Sequence, residues 1–112
     1  MATIVAEKPT VEHFPRVEVL AALTSELINL AQAEAETRGI ALPSDTAGIR
    51  KAAVPIDSLS VVDILCLVEP VVAVELRESI VRTGGYASIE DALEHLVPRI
   101  ERAWVRKKEQ EK

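Results

Sequence analysis

Aromatic residues are nearly missing from this chain: Phe14, Tyr86 and Trp104 are the whole set, 3% of 112 residues. A core built without rings must be aliphatic, drawn from Leu, Val, Ile and Ala. Such a chain also lacks the stacking surfaces on which nucleic-acid binders seat bases. Positive charge is in deficit too. A net charge of −5 argues against a DNA- or RNA-binding protein, whose affinity comes largely from neutralising phosphates. Cys66 is the single cysteine, so no internal disulfide is possible and a reducing compartment is expected. With that one thiol, His13 and His95 stand in no ligand spacing, and no metal site is expected. There is no Gly-x-Ser-x-Gly and no glycine-rich phosphate loop, Gly84-Gly85 being a lone pair, so a serine hydrolase is poorly supported. Long apolar runs are absent as well. The stretch from Val61 to Val74 is interrupted by Asp63, Glu69 and Pro70 and is too short and broken to span a bilayer. Residues 1–15 mix Glu7, Lys8, Pro9, Glu12, His13 and Pro15, without the apolar segment of a secretory signal. The expectation is a soluble, cytoplasmic monomer that is not an enzyme.

What is present is helical periodicity. The length suits one domain, which buries roughly two-thirds of its unfolded surface at this size. Residues 1–15 read as a flexible arm punctuated by two prolines. From Arg16, Leu20, Leu23, Leu27 and Leu30 recur at spacings of three and four, lining one helix face. Gly39 is a natural stop. Residues 39–57 hold Pro43, Ser44, Asp45, Gly48 and Pro55, and the expectation is a long loop. A second helix starts at Ser58 and should falter at Pro70, which has no N–H to donate. A short helix is expected near residues 76–82, and Thr83-Gly84-Gly85 is a break. Ser88 is a good N-cap for the last helix, with Glu90 and Asp91 in its first turn. Leu93, Leu96, Val97, Ile100 and Trp104 form its apolar stripe, Pro98 falls inside it, and Trp104 is expected as a core or terminal packing anchor, the alternative being a dimer contact. The domain should run over 16–107, with a charged tail at 108–112. The architecture implied is a small all-α bundle: three longer helices, one short helix, and a long loop after the first.

The chemistry-bearing candidate is Ser58. In isolation, Asp57-Ser58 ahead of an apolar run is an ordinary N-cap signature. Its context adds weight. From Leu59 to Val68 only Ser60 and Asp63 are clearly polar, whereas a surface helix of a small bundle normally keeps a solvated face. Either this helix is wedged at the bundle centre, or its apolar surface meets a partner or ligand. Charge is segregated as well. No basic residue lies between Lys51 and Arg77, while Asp57, Asp63, Glu69 and Glu75 do, which would steer a basic enzyme toward the serine. Cys66, on the same helix, is expected as a small packing residue rather than a nucleophile.

Residues 56–93 together resemble the acyl carrier protein family. Asp57-Ser58-Leu59 is similar to its Asp-Ser-Leu attachment motif. Val62, Asp63 and Leu65 match the valine, acid and apolar positions of its second helix, and Leu67-Val68-Glu69 its Leu-Glu-Glu run. Val74-Glu75-Leu76 resembles the short segment after that helix. Tyr86-Ala87-Ser88-Ile89-Glu90-Asp91-Ala92-Leu93 resembles the approach to the family's last helix. The resemblance implies a four-helix bundle of the acyl-carrier type. It also implies that a separate phosphopantetheinyl transferase attaches 4′-phosphopantetheine from coenzyme A to Ser58, and that the arm carries acyl groups as thioesters between loading and transfer enzymes, as in fatty acid biosynthesis and other lipid metabolism. Asp57, Leu59, Val62, Asp63 and Glu69 would be read by partners. Val62, Leu65, Val68, Val72 and Leu76 would shelter the acyl chain. Three departures stand out: Pro55 where the family has Gly, Pro70 where a second acid is usual, and Val72 where Phe is frequent. They point to a specialised discrete carrier. The alternatives are an unmodified carrier-like interaction module and a peptidyl carrier. The acid before Ser58, where peptidyl carriers often have His, leans against the latter.

Overall fold

The computed structural model describes residues 13–110. They form an all-helical bundle of four α-helices: α1 (Arg16–Arg38), α2 (Thr46–Lys51), α3 (Ser58–Val72) and α4 (Ile89–Gln110), with a single 3-10 turn at Glu78–Ile80. The structure of the N-terminal arm up to residue 12, and of the last two residues of the tail, lies outside this range. Lys108, Glu109 and Gln110, assigned by sequence to the tail, continue α4.

α1 is the hub: it packs along both α3 and α4 and also touches α2. Its buried residues are Val19, Leu23, Leu27, Ala31 and Ala35, every fourth position. A row at that spacing is inclined to the helix axis and slowly winds round it, so one long helix meets different neighbours along its length. Leu20 and Leu30, expected on the central stripe, are only half-buried at its margin. Gly39 ends the helix in the left-handed conformation, φ 72°, where its missing Cβ removes the steric cost.

The connection 39–57 is not wholly a loop. Asp45 caps a six-residue helix, its carboxylate accepting from the Gly48 amide at 2.8 Å. Ile49 drives that turn into the core, and Arg50 pairs with Glu90 of α4 at 3.2 Å. The cap and the buried Ile49 outweigh the helix-weakening glycine, a cost of about 1 kcal/mol.

α3 does not falter at Pro70 but runs to Val72 and closes at Ala73, which adopts φ 56° and donates to the Glu69 carbonyl at 2.8 Å. The short helix expected near 76–82 is only the 3-10 turn. Along α4, Ser88 Oγ accepts from the Asp91 amide at 3.1 Å, the N-cap read from sequence. Trp104 is buried and meets Phe14 edge-on, ring centres 5.9 Å apart, tying the approach to α1 onto the end of α4. Among the described residues no helix is long and apolar enough to cross a membrane.

Candidate functional site

The segment before α3 is held by a clamp. Ile56 and Tyr86 form an isolated antiparallel bridge: the Ile56 amide donates to the Tyr86 carbonyl at 2.9 Å and the Tyr86 amide donates to the Ile56 carbonyl at 2.8 Å. Gly85 makes this approach possible. At φ 85° it lies so close that a Cβ there would sit 2.2 Å from the Ile56 carbonyl oxygen. Ile56 itself is buried, 1% exposed. The residue before the serine motif is therefore fixed on both its main-chain and its side-chain side.

Tyr86 anchors the other half. Its hydroxyl accepts from the Arg82 amide at 2.9 Å and lies 2.8 Å from His95 Nδ1. The hydroxyl thus links the Arg82 main chain to the His95 ring. Burial raises the Tyr86 pKa, and partial burial, helped by Arg99 and Arg82, lowers that of His95. Both groups are thus held neutral. Arg82 stacks 4.9 Å from the Tyr86 ring centre and forks onto Asp91 at 2.9 and 3.3 Å. Asp91 in turn accepts from the Ala87 amide at 3.1 Å, and its carboxyl is held below the ordinary range chiefly by the Arg82 hydrogen bonds. The sequence marks Tyr86 to Leu93 only as a stretch resembling the approach to a last helix, and Asp91 as a first-turn acid, none of them as a positioning group; the Arg82/Asp91 charge pair, nine positions apart, is the one signal that points to the arrangement.

Asp57 caps α3, its carboxylate accepting from the Ser60 amide at 3.1 Å. The Ser60 hydroxyl and the helix's first amides hold the carboxyl below the ordinary aspartate range. The cap and the serine are thus separate functions on adjacent residues: Asp57 turns inward to the helix end, and Ser58 occupies the first helical position, half-buried. Among the described residues, no hydrogen bond engages the Ser58 hydroxyl.

Around it, α3 is two-sided. Val61, Ile64, Leu65, Val68 and Val72 are buried. On the outer side Leu59 is 78% exposed and Leu67 59%, with Asp63, Cys66 and Pro70 exposed beside them. The helix is therefore not wedged at the bundle centre; that place belongs to α1. Cys66 is not the packing residue expected from its type: the buried row of α3 passes on the other side, leaving the thiol in solvent.

Of the expected partner-facing residues, Asp57, Leu59 and Asp63 are exposed and Val62 is half-buried. Glu69 is half-buried and accepts from the Leu76 amide at 2.8 Å, so its carboxylate shapes the turn after α3. Of the expected acyl-sheltering residues, Leu65, Val68, Val72 and Leu76 are core, between 0% and 5% exposed. The described residues contain no cluster of metal-ligating side chains. No protein-family model, curated protein or solved structure matches the chain.

Proposed function

We propose that the chain is an acyl carrier whose Ser58 oxygen receives 4′-phosphopantetheine from coenzyme A, transferred by a separate phosphopantetheinyl transferase. The observation that carries this reading is the state of that hydroxyl: it stands at the head of a helix, without a hydrogen-bond partner among the described residues, on a segment fixed by the Ile56–Tyr86 bridge. A hydroxyl that served only as a cap would be bonded to an amide, and here Asp57 has that role. The group fits the site in one respect and strains it in another. Helix N-termini favour an attached phosphate, whereas the Asp57 carboxylate repels it; spending that carboxylate on the Ser60 amide limits the conflict. When attached, the arm supplies a thiol that carries acyl groups as thioesters.

The exposed face of α3 supports a docking role. Leu59 and Leu67 offer apolar contact, and Asp57 and Asp63 offer negative charge to a basic enzyme surface. Val62, Leu65, Val68, Val72 and Leu76 would wall the acyl chain. All are aliphatic, so a thin chain entering between α3 and its neighbours meets adjustable side chains rather than rigid rings. The departures at Pro55, Pro70 and Val72 favour a specialised carrier of the acyl-carrier fold type.

The test is intact-mass analysis after incubation with coenzyme A, magnesium and a broad-range phosphopantetheinyl transferase. The wild-type chain should gain one phosphopantetheine and Ser58→Ala none. If several transferases leave the folded wild-type chain unmodified, the proposal fails. The exposure of Leu59 and Leu67 would then favour a second reading, an interaction module that binds a protein partner without a prosthetic group.

A further inference from the structure

Away from Ser58, a groove of 450 Å³ lies between residues 74–80 and the last turns of α4. We propose that it binds a small amphiphile with a phosphate head and a short aliphatic body. Its size is within the range typical of small-molecule sites. The two chemistries of such a ligand are both represented in the lining. Val74, Ile80 and Ala103 are apolar, with no aromatic ring among the groove residues; Arg77, Arg106 and Lys107 are cationic. Arg106 and Lys107 lie three and four positions after Ala103, so α4 presents an apolar position and then two charges one turn further on.

Four arginines elsewhere in the bundle are neutralised locally, whereas the groove cations are not. Arg16, Arg38, Arg50 and Arg82 each pair with a carboxylate. Arg77, Arg106 and Lys107 have no such partner among the described residues. Glu75 also lines the groove; against three cations it leaves a local excess of two positive charges, in a chain whose net charge is −5. A local excess of one sign raises the potential and attracts an ion of the other. A phosphate monoester presents three acceptor oxygens, and guanidinium forks match phosphate geometry. The apolar side chains then give the aliphatic body a place out of water.

The test is titration calorimetry of the full chain with octyl phosphate, kept monomeric below its micelle concentration. Saturable one-to-one binding is expected, with inorganic phosphate and octanol each weaker by about tenfold or more, the worth of losing one part of the recognition. Arg77→Gln combined with Arg106→Gln should weaken octyl phosphate by about tenfold or more, with an unchanged helical spectrum and melting temperature, while Ser58→Ala binds like wild type. Four results would overturn the assignment: no saturable binding of octyl phosphate, equal affinity for inorganic phosphate, undiminished affinity in the double arginine variant, or loss of binding in Ser58→Ala. Binding to phosphatidic acid vesicles but not to the monomeric ligand would also overturn it, in favour of a membrane surface.

Discussion

Replacing Gly85 by alanine should unfasten the platform that presents Ser58. The new Cβ would stand 2.2 Å from the Ile56 carbonyl oxygen, more than an ångström inside an ordinary contact of about 3.5 Å, and 3.2 Å from Asp57 Cα, which is also tight. Both obstacles are backbone, so neither can swing aside. Gly85 also has φ 85°, where an L-residue costs about 1–2 kcal/mol. Relieving the clash means parting the bridge and losing its two hydrogen bonds, each worth about 1 kcal/mol net. Together these give a loss of about 3–4 kcal/mol, or a fall in melting temperature of roughly 10–20 °C for a chain this size. Gly84 is the internal control: its φ is 93° but a Cβ there meets nothing within 4 Å, so Gly84→Ala carries only the conformational cost of about 1–2 kcal/mol. Thermal unfolding followed by circular dichroism measures both. Amide exchange at Ser60, which reports the Asp57 cap, should accelerate more in Gly85→Ala than in Gly84→Ala. If the two variants melt together, the backbone clamp is not what holds this segment.

The cap can be probed directly. Asp57→Ala should lower stability by about 1 kcal/mol near neutral pH. Because the folded carboxyl has a lowered pKa, its contribution is fully present above the unfolded value of about 3.9 and is lost as pH falls through the folded value. Urea unfolding of both chains through the acid range should therefore show the two curves converging, and a constant gap would refute the assignment. His95 titrates higher. Its folded pKa is lowered, so the unfolded chain binds more protons just below about pH 6.5, and stability should fall as pH drops through that window. His95→Asn keeps an acceptor near the Tyr86 hydroxyl but cannot titrate, and should flatten the slope between about pH 7.5 and 5.5; an equal slope in the variant would refute the reading.

Where helices were legible, a local signal and a tertiary one agreed. α1 shows a leucine repeat and a terminal Gly39: the glycine ends the helix as expected and Leu23 and Leu27 are buried, while Leu20 and Leu30 lie at the margin of a stripe completed by Val19, Ala31 and Ala35. Ser88 caps α4 and Trp104 anchors its end. α2 was missed because Gly48 and Pro43 mark a loop, and the signals in its favour, the Asp45 cap and a single buried Ile49, are short. The inner and outer sides of α3 were not separable by composition. Leu59 and Leu67 are as apolar as Leu65 and Val68, and only the position of α1 decides which side is wet. The serine was legible because its neighbours carry a pattern; its unbonded hydroxyl was not, since Asp57 and Ser58 are equally good caps by type. The clamp at Gly85 was hidden because a glycine pair in sequence says "turn" and cannot say which backbone comes close.

The two prolines inside helices show how far packing overrides propensity. A proline in a helix interior costs about 3 kcal/mol relative to alanine, because it removes a backbone donor and crowds the preceding turn. Pro70 and Pro98 are both exposed, and each has buried neighbours: Val68 and Val72 around the first, Val97 and Ile100 around the second. Full burial of one such side chain contributes about 1.5–3 kcal/mol, so two per proline meet or exceed the loss. On the exposed side the carbonyl left without a partner can bond to water, which removes the desolvation penalty an inward-facing proline would add. Pro70 also lies near the end of α3, where few intrahelical bonds remain to be lost. Helix termination here is consequently set by Ala73, with its left-handed backbone, and by the Glu69 carboxylate on the Leu76 amide. That pair of contacts turns the chain toward the 3-10 segment and so builds one wall of the cationic groove, at the opposite end of α3 from its serine.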